Sequence, residues 1–279
     1  MTSETPNGGE ASAVEYCFET INWSPLTGYS KPAPLLMVEA AAANGYSWIS
    51  FDVRTLDLYV AEGGLLDDLK RHIERHGLAM LALHAVLLWD DIPRSEATGI
   101  HAIELCEELG ATYINVSLQS PINTDAIKSI RRVHDLARRH NLQFTMEYFA
   151  HTHVNSLNTL RHILEVAEIN GPAIILDAWQ FFASRDSWDA LEALPVEQIA
   201  YVQFSDHAAT MTGDFIHETV HHRLLPGDGA FDLARFVGVL KRKGYRGIVG
   251  PEILSKESRE WPLASYARLA IEKTRVFWK

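Results

Sequence analysis

The fold follows from residues 141–177, whose sequence is NLQFTMEYFAHTHVNSLNTLRHILEVAEINGPAIILD. An apolar run over Gln143–Tyr148 comes first, apolar residues at three- and four-residue spacing follow over Leu157–Glu168, and a second apolar run ends the stretch at Ala173–Asp177. Three- and four-residue spacing predicts a helix, and near-continuous apolar runs are typical of strands buried on both faces of a parallel sheet. The stretch is therefore predicted to be one strand–helix–strand unit.

The same unit recurs along the chain, because a helix-stopping Gly or Asn stands before each apolar run. These residues are spaced by 32, 33, 31 and 30 positions over the first four gaps, and they are Gly45, Gly77, Gly110, Asn141, Gly171 and Gly244. The rhythm predicts eight strands: Val14–Glu19, Trp48–Asp52, Ala79–His84, Tyr113–Ser117, Gln143–Tyr148, Ala173–Asp177, Ala200–Phe204 and Ile248–Ile253. Helices are predicted between them, for example at Leu65–Arg75, Asp125–Arg139, Leu157–Glu168, Leu233–Lys243 and Ala264–Phe277.

Eight strands alternating with helices predict an α/β fold, a single (βα)₈ TIM barrel over residues 13–279, with the last helix packed across the first strand. Residues 1–12 are predicted to be a disordered amino-terminal tail. The alternative is an open doubly wound sheet, which usually carries a glycine-rich phosphate loop after its first strand. Here that turn is Thr20-Ile21-Asn22-Trp23-Ser24, without such a loop.

The composition limits the class of protein. The chain has 279 residues, of which 47% are hydrophobic and 22% charged, as in soluble globular proteins. Its net charge of −11 speaks against a nucleic-acid partner, since Lys and Arg supply most of that affinity. No apolar run approaches the roughly 20 residues that span a bilayer, and the start has no signal pattern. We therefore expect a cytoplasmic protein with no membrane association.

Four predicted strands in the second half of the chain end in side chains that a divalent metal accepts, namely Glu147, Asp177, Gln203 and Glu252. The first two steps between them, 30 and 26 residues, each fit one strand–helix unit, and functional groups of such barrels gather at the carboxyl ends of the strands. A lone carboxylate at a strand end is more often an ion-paired or capping group, but four in register are hard to explain as packing.

All-oxygen ligation favours Mn²⁺ or Mg²⁺, with Co²⁺ or Zn²⁺ as alternatives, and no organic cofactor is expected. Such a metal can hold two adjacent oxygens of a hydroxyketone and stabilise an enediolate. Glu147 and Glu252, on different strands, are then also the predicted catalytic groups, one removing and the other returning a proton.

Several further residues are predicted to contact a substrate. His84 ends the third predicted strand, Trp89 and Trp179 follow strand ends, and the long segment Asp206–Gly229 is rich in polar donors, as active-site lids often are. Each of these side chains is also explained by core packing. The full set predicted to bind substrate is His84, Trp89, Trp179, Gln180, His207 and Arg223.

Over nearly its whole length the chain resembles the xylose-isomerase-like barrel superfamily, in the group of sugar phosphate isomerases/epimerases. The resemblance is most specific in four segments: MEYFAHTHVNSL around Glu147, ILDAWQFFASRDSWDALEALP around Asp177, IAYVQFSDHA around Gln203, and RLLPGDGAFDLARFVGVLKRKGYRGIVGPEIL leading to Glu252. It implies a (βα)₈ barrel with a metal held by these four residues. Many relatives have His as third ligand; the branch with Gln is similar to 3-dehydroshikimate dehydratases. Arg223 matches a family arginine that binds the polar or anionic end of the substrate.

The chain departs from the family pattern after the sixth strand. The family often shows Asp-x-x-His there, with the His contacting substrate, whereas this chain has Gln180, and the Arg that often follows is replaced by Ala183 or Ser184. A neutral amide can hydrogen-bond a hydroxyl but cannot act as an acid or base near neutral pH. A changed substrate or reaction is therefore plausible.

The sequence favours a metal-dependent isomerase or epimerase acting on a small polyhydroxylated ketone or a sugar (phosphate) derivative, with a homodimer as the expected assembly. A dehydratase that expels a hydroxyl through the same enolate is the first alternative. A barrel that binds a sugar-like ligand without turnover is the second. An endonuclease relative is the third, and the acidic charge and Gln203 speak against it.

Overall fold

The structure is a computed structural model that describes residues 14–279, so the tail predicted over residues 1–12 lies outside the described residues. Eight parallel strands form a closed barrel in sequence order, and β8 pairs with β1. The strands are β1 Glu15–Glu19, β2 Trp48–Asp52, β3 Ala79–Leu88, β4 Tyr113–Leu118, β5 Gln143–Met146, β6 Ile174–Asp177, β7 Ile199–Gln203 and β8 Ile248–Gly250. The predicted single (βα)₈ barrel is confirmed.

Helices separate the strands and surround the barrel. They are α1 Pro34–Ala43, α2 Val53–Ala61, α3 Leu66–Arg75, α4 Ile92–Leu109, α5 Thr124–Arg139, α6 Leu157–Val166, α7 Ala178–Ala183, α8 Trp188–Ala193, α9 Phe215–His221, α10 Leu233–Arg242 and α11 Leu263–Trp278. Short 3₁₀ turns occur at Thr20–Trp23, Pro25–Thr27, Val196–Gln198 and Ser258–Glu260. Across residues 14–279, no helix combines the length and apolar character needed to cross a membrane.

The core explains why the strand sequences are so apolar. Ile174, Ile175 and Leu176 of β6 are fully buried, as expected for strands covered by helices on one side and barrel interior on the other. The last helix closes the fold as predicted, because Tyr266 of α11 packs edge-on against Phe18 of β1 with 6.1 Å between ring centroids.

Strand β3 differs most from its prediction, which ended at His84. The strand continues to Leu88 because one residue bulges: Ala85 has a φ of 62°, and the pairing with β4 shifts register between Leu83 and Val86. The bulge places His84 inside the strand.

Strands β5 and β8 end earlier than predicted, at Met146 and Gly250, so Glu147 and Glu252 stand in the first residues after their strands. The backbone there is still hydrogen-bonded to the neighbouring strand. The N–H of Glu252 donates to the carbonyl of Phe204, and the N–H of Glu147 donates to the carbonyl of Val116, at 3.2 Å each. These bonds hold both carboxylates at the carboxyl-terminal mouth of the barrel.

Candidate active site

The four predicted metal-ligating residues meet at the carboxyl ends of the last four strands. Oxygen atoms of Glu147, Asp177 and Glu252 all lie within 4.8 Å of one another, and the Nε2 of Gln203 donates to the Oε1 of Glu252 at 2.7 Å. All four side chains are buried. The barrel therefore brings together residues that are far apart in sequence, as their spacing predicted.

Arg223 provides the cation for this group. Its Nη1 donates at 2.9 Å to Oδ2 of Asp177 and at 2.9 Å to Oε2 of Glu252, and only 1% of the side chain is exposed. Its other donors are held by Thr219, whose hydroxyl and carbonyl oxygens accept from Nη2 and Nε at 2.9 Å each. We refer to Glu147, Asp177, Arg223 and Glu252 as the arginine cluster.

The arginine cluster holds more negative charge than one guanidinium can balance. Burial raises the pKa of Glu147 well above its usual range, and the charges of Glu252 and Asp177 raise it further. Burial also raises the pKa of Glu252 to about 7, although Arg223 opposes the shift. The pKa of Asp177 is raised by burial despite its bonds to Arg223 and to the N–H of Trp179. Three carboxylates against one guanidinium leave two negative charges when all are ionised, a charge that protons or a cation would neutralise.

A second charged group lies on the first four strands, and of its members only His84 had been predicted from the sequence. The carboxylate of Glu19, at the end of β1, lies 3.0 Å from Nε2 of His84 and accepts a hydrogen bond from the Ser50 hydroxyl. The side-chain amide of Asn115 is 3.1 Å from Nδ1 of His84 and 3.4 Å from Oε2 of Glu147. We refer to Glu19, Ser50, His84 and Asn115 as the histidine cluster.

The histidine cluster touches the arginine cluster through Glu252, because ligand atoms of Glu19, His84 and Glu252 also lie within 4.8 Å of one another. Burial favours the neutral imidazole of His84, but the carboxylate charges of Glu19, Glu252 and Asp52 outweigh it and raise the pKa of His84. The signal for Glu19 was present in the sequence, since it is a carboxylate at the end of an apolar strand, the same feature that pointed to Glu147.

A cavity of about 230 Å³ opens over both clusters. Of the predicted site residues, His84, Glu147, Arg223 and Glu252 line it. The other lining residues had not been predicted, and Asn115, Phe149, His151 and Thr219 are among them. Phe149 and His151 come from the loop after β5, where the sequence around Glu147 holds aromatic and imidazole side chains without a pattern that distinguishes pocket from packing.

The remaining predicted substrate contacts lie away from the cavity lining. Trp89 packs beneath the guanidinium of Arg94, which lies 3.4 Å from a ring centroid. Trp179 lies under Arg223, with 5.1 Å between the guanidinium carbon and the ring centroid. Gln180 is buried, and its Oε1 accepts from the N–H of Ala150 at 3.1 Å. None of the three lines the cavity: Trp179 contacts Arg223, Gln180 bonds to the loop after β5, and Trp89 contacts Arg94.

The long segment Asp206–Gly229, predicted to be a lid, carries α9 and covers part of the cavity through Ile216, Thr219 and Val220. Glu218 of α9 accepts hydrogen bonds from the N–H and the hydroxyl of Thr212 at 3.0 and 2.6 Å and lies 2.6 Å from Nε2 of His207. Burial opposes ionisation of Glu218, but these bonds prevail and lower its pKa to about 2. His207 is thus an anchor of the segment.

The base of the same segment is held by Asp206. Its carboxylate accepts from the backbone N–H groups of Gly227, Gly229 and Phe231 at 3.0, 3.1 and 3.0 Å. Position 229 requires glycine, because a Cβ there would lie 2.3 Å from Oδ1 of Asp206. The segment therefore returns to the barrel at a defined place beside Arg223.

Comparison with known proteins identifies the family. The model of the xylose isomerase-like TIM barrel family matches residues 38–275, and the chain belongs to this family.

Its relatives are distant. The chain is 24% identical to inosose isomerase of Halalkalibacterium halodurans over 239 residues, which are 79% of this chain and 82% of that protein. It is 26% identical to 3-dehydroshikimate dehydratase of Pseudomonas putida over 167 residues, 57% of this chain but only 26% of that protein. Among solved structures, IolI protein with a bound zinc atom superposes with a TM-score of 0.79 at 21% identity, covering 95% of this chain and 98% of that chain.

Proposed function

We propose that the protein is a divalent-metal-dependent isomerase or epimerase acting on a small polyhydroxylated ketone or sugar derivative. The observation that carries the proposal is the arginine cluster, in which three buried carboxylates converge with an excess of negative charge. The similarity to inosose isomerases, at 24% and 22% identity over most of the chain, supports an isomerase.

The residues fit a divalent metal. Glu147 and Gln203 each have a buried side-chain oxygen, Oε1, without a hydrogen-bond partner in the protein, and a metal would satisfy both. A 2+ ion also matches the two negative charges left by the arginine cluster. Glu147, Asp177, Gln203 and Glu252 would hold the ion, through oxygen atoms that suit Mn²⁺ or Mg²⁺, with Co²⁺ or Zn²⁺ as alternatives. When bound, it would polarise the substrate carbonyl and stabilise the charge of an enediolate.

Glu147 and Glu252 are the proposed proton-transfer groups. Both line the cavity and arise from different strands, so a substrate in the cavity can meet one carboxylate on each side. Asn115 holds Glu147 through its Oε2 at 3.4 Å, and Arg223 holds Glu252 at 2.9 Å, which limits the orientations of both carboxylates. Moving a proton from one side of a carbon to the other requires this kind of fixed pair.

A dehydratase is the second candidate, and the histidine cluster favours it. Loss of a hydroxyl needs an acid beside the leaving oxygen, and His84, which lines the cavity and has a raised pKa, can supply that proton. The partial similarity to 3-dehydroshikimate dehydratases points in the same direction. A barrel that only binds a sugar-like ligand is the candidate from outside the enzymes.

One experiment separates the three. The purified protein is analysed for bound metal, loaded with Mn²⁺ and incubated in deuterated water with a panel of ketoses, inososes and 3-dehydroshikimate. An isomerase incorporates deuterium at the carbon beside the carbonyl, and a dehydratase produces an ultraviolet chromophore with loss of water. Metal binding without either change would favour the binding protein.

The variants Glu147→Gln and Glu252→Gln test the assigned roles, with Glu165→Gln on the exposed face of α6 as the matched control. We expect the first two to lose deuterium incorporation and the control to retain it. Metal-loaded protein that exchanges deuterium equally well in all three variants would contradict the proposal.

A further inference from the structure

The cavity contains cationic groups only in paired or neutral form among the residues the structure describes. Four of the five N–H groups of Arg223 are taken by Asp177, Glu252 and Thr219. His84 is paired with Glu19 at 3.0 Å. A phosphate or carboxylate in this cavity would therefore meet carboxylates that are already short of positive charge.

The third basic residue of the cavity, His151, adds no charge at neutral pH. Burial lowers the pKa of this imidazole, so it faces the cavity as a neutral donor or acceptor. Lysine is absent from the lining that the described residues provide. The side chains that line the metal-free cavity thus offer no free cation to an anionic substrate.

Apolar side chains also line the cavity. Ile21, Leu26, Leu87, Phe149, Ile216 and Leu254 line it together with the two clusters. Leu26 is 45% exposed and Ile216 is 61% exposed, whereas the carboxylates of Glu147 and Glu252 are nearly buried at 4%. The deep part of the cavity is therefore polar, and the mouth presents apolar surface to solvent from two different segments, the turn after β1 and the lid.

We propose that the substrate is an uncharged hydroxyketone that carries an apolar substituent. Its oxygens lie toward Glu147 and Glu252, and its substituent covers Leu26, Phe149 and Ile216. This inference deepens the proposed function and rests on it for the orientation of the ketone. The apolar contact does not depend on metal or turnover, and the effect of charge is compared in the metal-free protein, so the inference can be tested separately.

Three commercially available hydroxyketones share the reacting group and differ in the substituent attached to it. Dihydroxyacetone is polar and neutral, 2-hydroxyacetophenone carries a phenyl ring, and dihydroxyacetone phosphate is anionic. Their affinities are measured by ligand-observed NMR with the Mn²⁺-free protein and by calorimetry with the metal-loaded protein. We expect 2-hydroxyacetophenone to bind about tenfold more tightly than dihydroxyacetone, because burying part of a ring and of two aliphatic side chains removes apolar surface from water. The phosphate is expected to bind more weakly than dihydroxyacetone to the metal-free protein.

Variants at the mouth locate the effect. Leu26→Ser and Ile216→Ser change exposed side chains and should leave the fold intact; each should reduce the preference for the phenyl compound about threefold while leaving the affinity for dihydroxyacetone unchanged. Leu36→Ser is the matched control, because Leu36 is 55% exposed on α1 and lies outside the cavity lining.

The outcomes distinguish the two proposals. Equal affinity for all three ketones, or tightest binding of the phosphate to the metal-free protein, would overturn the inference about the substrate. A preference for the phenyl compound that is lost in Leu26→Ser and Ile216→Ser supports it, whether or not the metal is present. If that preference remains while metal strengthens none of the three affinities, the proposed metal-dependent function fails and the substrate inference stands.

Discussion

The arginine cluster and the histidine cluster meet at Glu252, which belongs to the arginine cluster. Different kinds of charged groups make up the two clusters. In the arginine cluster a permanently charged guanidinium faces three carboxylates. In the histidine cluster a titratable imidazole faces one carboxylate and two neutral donors. The comparison teaches that one half of the barrel mouth is short of positive charge, while the other pairs one buried carboxylate with an imidazole whose pKa is raised by its carboxylate neighbours. We propose that the arginine cluster binds the cation and that Glu252, which contacts both clusters, takes part in proton transfer.

The largest effect is expected from Arg223→Met, which removes the only permanent cation of the arginine cluster and keeps its volume. Leaving Asp177 and Glu252 without a partner should lower the free energy of unfolding of the metal-free protein by about 3–5 kcal/mol. Added Mn²⁺ should restore much of the loss, because it replaces the missing charge. Urea unfolding with and without metal measures both effects.

The matched control is Arg242→Met, which removes an exposed pair with Glu192 and should cost no more than about 1 kcal/mol. Equal destabilisation by the two substitutions would mean that the buried pairs of Arg223 contribute no more to stability than a surface pair. The arginine cluster would then not depend on its cation, contrary to the comparison of the two clusters.

The second prediction contrasts one carboxylate from each cluster. Glu147→Gln should reduce the affinity for Mn²⁺ about 100-fold or more, because it replaces a charged ligand with a neutral one, whereas Glu19→Gln should reduce it less than about tenfold, because it acts only through its neighbours. In Glu19→Gln the pKa of His84 should fall, since its nearest negative charge is gone. Calorimetry measures the metal affinity, and NMR titration of the histidine measures the pKa. Similar losses of metal affinity in both variants would place the metal between the clusters.

The third prediction concerns pH. The pKa of Glu252 in the folded metal-free protein is about 7, above its usual value of 4.5, so a metal must displace a proton below pH 7. The affinity for Mn²⁺ should therefore rise by at least about tenfold per pH unit as the pH increases toward 7. The stability of the metal-free protein should fall over the same rise, from about 4.5 to about 7, because the folded state binds the proton more tightly than the unfolded state.

Calorimetry between pH 5.5 and 8, in buffers of different ionisation heat, counts the released proton. An affinity that does not change across this interval would mean that Glu252 is already ionised without metal. The charge of Arg223 would then offset the effect of burial on the pKa of Glu252.

The smallest effect is expected outside both clusters, at Gln180. Gln180→Leu removes the acceptor for the N–H of Ala150, but it also removes the Nε2 of Gln180, which is buried without a protein partner. The two changes oppose each other, so the free energy of unfolding should change by less than about 1 kcal/mol. Amide hydrogen exchange should increase mainly at residues 149–152. A loss as large as that in Arg223→Met would show that the loop after β5 belongs to the charged site.

The sequence predicted the position of a side chain where that position follows from the order of the strands. Glu147, Asp177 and Gln203 recur at one strand–helix interval, and parallel strands bring equal positions to one edge of the barrel, so their meeting could be expected. The sequence was less informative for Trp89 and His207, because a side chain near a strand end can turn toward the cavity or away from it. Trp89 packs against Arg94 and His207 bonds to Glu218, and neither choice is encoded in the residue type.

The sequence by itself determined the number of strands, their order and the four oxygen-bearing residues at their ends, because hydrophobic periodicity and helix stops are local properties of the chain. Only the tertiary structure decided the partners of those residues. Arg223 reaches Asp177 and Glu252 from the lid, 46 and 29 residues away in sequence, and Glu19 on β1 reaches His84 on β3. Hydrogen bonds and ion pairs depend on separations of a few ångström in space, and the closure of the barrel sets those separations.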